Sequence, residues 1–223
     1  MMSPPVTLDA SNDRSESRTA DRRRVGRLAA YLAAPLWALQ MVIWIVAPKV
    51  QETTAPFTIT NPVLFALFWL SIAGAVAFSA ASAADVPRII QGLNSRVSRW
   101  ARALATIALC LASAATISIA VALIPAVQGA AISIMTNMLN GALVILALSL
   151  SLSAFVSWRV NRAARSTNML PTALAAATIA MIVAIFASGA NSMVGLYFAV
   201  AMAALNGIVW FLWGRASSVD GRR

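Results

Sequence analysis

Few side chains in this chain could do chemistry, and the ones placed to do it are neutral. Histidine is absent, cysteine occurs once and Asp and Glu together number 7. Histidine-based acid–base catalysis, histidine-ligated metal sites and an internal disulfide are therefore excluded. Cys110, Ser149, Ser151 and Ser153 are nucleophile types with no base beside them, so no catalytic residue is assigned. Neither a metal site nor a cofactor site is expected. What remains are amides and indoles inside apolar stretches: Gln40, Asn140 and Asn206, with Trp37 and Trp44 flanking Gln40. A carboxamide both donates and accepts hydrogen bonds. These five residues are therefore the candidate ligand-facing set. The plainer use of such groups is bonding between helices, at about 0.6 kcal/mol on average. Asn140 and Asn206 sit in the same tripeptide, Leu139-Asn140-Gly141 and Leu205-Asn206-Gly207.

The elements that would position these groups follow from composition. The chain has 223 residues, 60% hydrophobic and 11% charged, with a mean hydropathy of +0.79. Soluble domains carry roughly 25% charged residues, so a water-soluble fold is excluded. A helix needs about 20 apolar residues to cross the ~30 Å hydrocarbon core. Six stretches meet this: 28–47, 62–84, 103–123, 137–157, 171–188 and 193–213. The expected fold class is an all-α integral membrane protein, a compact bundle of six transmembrane helices over 28–214. Residues 1–27 are polar and too poor in apolar surface to offset their ordering entropy, which predicts a disordered tail. Residues 215–223 form a short second tail. Asn61 and Pro62 give the second span a favourable start. Residues 103–157 carry no charge and suit two spans, with a turn around 125–136 that is itself apolar. That predicts a connector lying at the interface or re-entering the bilayer.

Charge gives an independent test. The formal net charge is +10, and 16 of the 17 basic residues are arginine, Lys49 being the exception. Arginines fall before the first span, between the second and third, between the fourth and fifth, and after the sixth. The other gaps hold Lys49 alone, so one side carries 16 basic residues and the other carries one. Cytoplasmic loops carry the Lys/Arg excess, so both termini are expected inside. With the Arg and Ala bias of a GC-rich genome, the expected place is a bacterial cytoplasmic membrane. The basic balance points to the lipid bilayer as partner, and not to nucleic acid, which would need a folded soluble platform. Tyr31, Trp100, Trp158, Trp210 and Trp213 fall at the inner ends of spans, where amphipathic rings favour the headgroup level. Trp37 and Trp69 do not, and are expected to face a cavity or a neighbouring helix. Asp85 is an acid at the inner end of the second span, and 85–102 could hold an amphipathic segment with Ile89, Ile90 and Leu93 on one side.

Small residues recur every four positions in three spans: Gly195, Ala199, Ala203 and Gly207; Ser71, Ala75, Ser79 and Ala83; Ala176, Ala180, Ala184 and Ser188. Such stripes let helix backbones approach closely, within the chain or against a partner. In the first span Ala29/Ala33 and Ala30/Ala34 give the same spacing. In size, topology and this one spacing the chain resembles the substrate-binding subunits of energy-coupling-factor vitamin transporters. Those are six-helix proteins with both termini inside and an alanine-x-x-x-alanine docking motif on the first helix. The resemblance covers the bundle, not the polar tail. It implies docking to a partner through Ala30 and Ala34, and a substrate on the outer side near Trp37, Gln40 and Trp44. Six-span permeases of ABC exporters are similar by topology alone, without their large outer loop before the last span. The expected role is therefore a non-catalytic membrane subunit, a transporter component or accessory protein working with other membrane subunits or a cytoplasmic ATPase. Two other classes are weighed: a lipid- or isoprenoid-modifying membrane enzyme, which the missing acidic pair disfavours, and a structural or regulatory protein with its basic tail on anionic lipid.

Overall fold

The computed structural model describes residues 9–46, 61–86, 96–164, 169–188 and 193–219. These residues form six α-helices and no strand: α1 (Asp9–Val46), α2 (Pro62–Ala83), α3 (Arg96–Ala122), α4 (Gln128–Ala164), α5 (Leu170–Ser188) and α6 (Met193–Val219), with one 3-10 turn at Pro125–Val127. Four helical stretches are long and apolar enough to cross a membrane: 24–43, 62–83, 96–122 and 125–160. In α5 the apolar run is shorter, Leu170–Ala184.

Each helix packs on its neighbour in sequence, and α6 returns to α1, so the bundle closes into a ring; α2 also touches α4 across it. On α3 small residues line the inside and large apolar ones the outside. On α3 the buried positions are Ala101, Ala105, Ala108, Ala112, Ala115, Ile119 and Ala122, while Ile107, Ile117 and Val121 are exposed. Water would favour the reverse arrangement. In lipid, close packing of small side chains is what holds helices together. The α3 positions alternate four and three apart, and α4 answers with Met135, Leu139, Ala142, Leu146, Ser149, Ser153 and Val156 at the same spacing. This 3.5-residue period is that of an antiparallel coiled-coil seam. The seam is tight enough for Ser149 Oγ to donate to the Ala101 carbonyl at 2.7 Å.

The structure departs from the sequence expectations at several points. From Asp9 onward the polar tail is helical and continuous with α1. Extending an existing helix carries no nucleation cost, and Asp9 stands at the start of the helix, where the dipole favours negative charge. Residues 1–8 lie outside the described part. The expected turn around 125–136 is shorter than the sequence suggested. Pro125 opens a single 3-10 turn, Gln128 is already helical at φ −52 ψ −51, and α4 runs on from there. α3 likewise starts at Arg96, before the expected 103; the Ile89, Ile90 and Leu93 segment lies outside the described residues. In α5 the buried face is Leu174, Ala177, Thr178, Met181 and Ala184; of the expected small-residue stripe Ala184 is buried, Ala180 half-buried and Ala176 exposed. Trp210 and Trp213 are core residues, 0% and 3% exposed. Trp100 and Trp158 are exposed, as expected. Cys110 is exposed on α3. Asp85 is buried at the end of α2, where a Cβ added to Gly26 of α1 would meet its carboxylate.

Candidate functional site

The site is built along α1, which packs against both α2 and α6. Trp37 of α1 is fully buried, and its indole Nε1 donates to Ser79 Oγ of α2 at 3.3 Å. The stripe Ser71, Ala75, Ser79 and Ala83 is buried throughout, and its small side chains leave room for the indole. On the α6 side Gly207 lies against α1. A Cβ there would sit 3.2 Å from the Ala34 carbonyl oxygen and 3.5 Å from Trp37 Cβ. Only a missing side chain allows the two backbones this approach. One turn of α6 further on, Phe211 meets Tyr31 edge-to-face at 5.7 Å, and Gly214 lies against the Tyr31 ring. Pro35 removes the N–H that would otherwise bond the Tyr31 carbonyl within α1.

These contacts fix the register. On α1 and α2, Gly26 meets Asp85, Leu36 meets Gly74 and Trp37 meets Ser79. On α1 and α6, Trp37 meets Gly207 and Tyr31 meets Gly214. Both pairs are therefore antiparallel. Gln40 lies about one turn beyond Trp37 in one direction, Asn206 lies level with Trp37, and Trp210 and Ser82 lie about a turn away in the other. All four are buried, Gln40 at 5% exposure and Asn206 at 1%. Among the described residues, no hydrogen-bond partner reaches Gln40 Oε1, Asn206 Oδ1, Asn206 Nδ2, Trp210 Nε1 or Ser82 Oγ. By register these atoms spread over roughly 9 Å of the bundle axis, at 1.5 Å per residue.

That concentration is unlike the rest of the interior. Ser71, Ser153 and Thr178 are buried too, but each bonds a carbonyl three or four residues back in its own helix, the usual refuge of a hydroxyl in an apolar helix. A buried polar atom left without a partner costs about 1–3 kcal/mol, and hydrocarbon offers none. The site presents acceptors (Gln40 Oε1, Asn206 Oδ1), donors (Asn206 Nδ2, Trp210 Nε1) and a hydroxyl that serves as either. Such a set combines donors and acceptors and carries no formal charge. It supplies no nucleophile paired with a base. No group of three or more metal-ligating side chains occurs among the described residues.

By register Trp37 and Asn206 lie at one level of the bundle and Gln40 about a turn away. Asn140 lies apart from them: it is half-buried on α4, which packs against α2, α3 and α5, and the adjacent Gly141 faces Leu111 of α3. Trp44 lies in α1, its side chain outside the described residues. Ala30 is fully buried within the chain, whereas Ala34 is half-buried, with its carbonyl facing Gly207 of α6. Ala203 and Gly207 are buried at the same helix contact; Gly195 and Ala199 lie in α6 with side chains outside the described residues. Sequence reasoning missed Trp210 and Ser82. The available signal was spacing: Asn206, Gly207, Trp210, Trp213 and Gly214 share one face of a helix. No protein-family model, curated protein or solved structure matches the chain.

Proposed function

We propose that the chain is a non-catalytic membrane protein that crosses a bacterial cytoplasmic membrane six times, with both ends inside, and serves as a transporter component. Its bundle interior receives a small uncharged solute, and a partner, another membrane subunit or a cytoplasmic ATPase, supplies the energy. The observation that carries this reading is the set of buried, unpartnered amide and indole atoms on Gln40, Asn206 and Trp210. The one-sided distribution of arginine supports the orientation.

The test is purification of the full chain in mild detergent, followed by thermal unfolding with panels of uncharged amides, nucleobases and polyols and of their charged analogues. Uncharged members are expected to raise Tm; a ligand present at a hundred times its Kd stabilises by about 2.7 kcal/mol. Asn206→Leu removes both unpaired amide atoms at similar volume. It is expected to stabilise the unliganded protein by about 1–3 kcal/mol and to abolish the ligand-dependent rise. A variant less stable than the parent would make Asn206 structural and remove the support for a solute site. The same preparation should carry a second subunit; catalytic turnover of a lipid by the purified chain alone would favour an enzyme instead.

A further inference from the structure

A second feature lies at the far end of α4, away from the polar site. Arg159 Cζ stands 5.9 Å over the Phe155 ring, and Arg162 Cζ stands 5.5 Å over the Trp158 ring. The two rings are themselves 6.3 Å apart at 30°. The result is an interleaved ladder of two guanidinium groups and two rings on one exposed face of the helix. Phe155 and Trp158 are 48% and 54% exposed, and both arginines are exposed. A guanidinium laid on a ring is held in place while its N–H edge stays free. α3, α4 and α5 contain no acidic residue. The antiparallel register set by Ser149 and Ala101 brings the start of α3 to the same end, adding exposed Arg96, Arg99 and Trp100.

We propose that this ladder binds the phosphate of an anionic phospholipid. Two guanidinium edges about one turn apart match the oxygens of one phosphodiester, to which arginine bonds in a bidentate manner. The helix face below the ladder explains why the phosphate comes from a lipid. Val144, Leu148, Phe155 and Arg159 share one stripe of α4, and the apolar members are exposed along it. The stripe forms a lane for an acyl chain running from the headgroup level toward the bilayer centre. This site is independent of the solute site in the bundle interior.

The experiment is native mass spectrometry of the full chain in mild detergent, titrated with dioleoylphosphatidylglycerol or dioleoylphosphatidylcholine. The anionic lipid is expected to be retained in preference to the zwitterionic one. R159Q/R162Q is expected to weaken that retention about thirtyfold, about fivefold for each arginine. R24Q/R215Q removes the same charge from α1 and α6 and is expected to leave it unchanged. Where R159Q/R162Q fails to fold, F155L/W158L keeps the charges but removes the rings, and is expected to weaken retention as well. Equal retention of the two lipids, equal losses in the two arginine pairs, unchanged retention in F155L/W158L, or displacement by inorganic phosphate at matched concentration would each overturn the proposal.

Discussion

Gly207→Leu is expected to separate α6 from α1 and to cost at least about 3 kcal/mol, the upper range for overpacking a filled interior. The reason is what a side chain would meet. The nearest atom to a Cβ at 207 is the Ala34 carbonyl oxygen, 3.2 Å away, with Trp37 Cβ at 3.5 Å. A carbonyl oxygen is part of the α1 backbone and cannot swing aside as a side-chain tip does. The helices must move apart, and the seats of Trp37 and Asn206 move with them. Gly207→Ala asks for a shift of only a few tenths of an ångström and is expected to cost far less. Thermal unfolding in detergent, followed by circular dichroism, measures both. Similar stabilities for the leucine and alanine variants would show that α1 and α6 are not in the contact described.

The second large effect concerns Trp37. It is fully buried between α1, α2 and α6, so Trp37→Ala is expected to destabilise by about 3–5 kcal/mol, the range for emptying the space of a large buried aromatic. Trp37→Phe keeps most of the volume and removes the bond to Ser79 Oγ. Its added penalty from the lost hydrogen bond is about 0.6 kcal/mol, and no more than about 1.7 kcal/mol. A double-mutant cycle of Trp37→Phe with Ser79→Ala separates that coupling from packing. A phenylalanine variant as unstable as the alanine one would place the importance of Trp37 in its hydrogen bond and not in its bulk.

These residues also show how far the sequence was readable. Helix positions were legible because they depend on local signals. Asn61 caps α2 through Leu64 N at 3.1 Å, as its place before Pro62 suggested. Pro125 misled because proline marks both the end of one helix and the first turn of the next; here it opens the turn that leads into α4. Which face of a helix is inside was less legible. Residues four apart drift around a helix of 3.6 residues per turn, so in alanine-rich α5 the regular spacing did not identify the buried side. The α3 seam is written in its alanines at alternating four and three, yet its meaning depends on the matching pattern in α4. The site was half legible. An amide in an apolar helix stands out wherever it occurs, which singled out Gln40, Asn140 and Asn206. Nothing in the repeated Leu-Asn-Gly tells which copy enters the α1 contact. That is decided by the neighbouring glycine, which meets the Ala34 carbonyl in one case and a leucine side chain in the other. Trp210 and Trp213 looked interfacial because they lie near the end of an apolar run. Only the seating of Gly214 on Tyr31 shows that α6 carries them inside.

The account rests on the ends of this bundle lying on opposite sides of a membrane. Labelling of single cysteines in intact cells with a membrane-impermeant maleimide tests it directly, in a background where Cys110 is replaced by alanine. Ala126→Cys, in the turn between α3 and α4, is expected to label from outside. Arg162→Cys at the end of α4 and Ser217→Cys at the end of α6 are expected to label only after the membrane is permeabilised. Labelling of positions 126 and 162 from the same side would contradict the six-span arrangement, and the transport role proposed for the chain would fall with it.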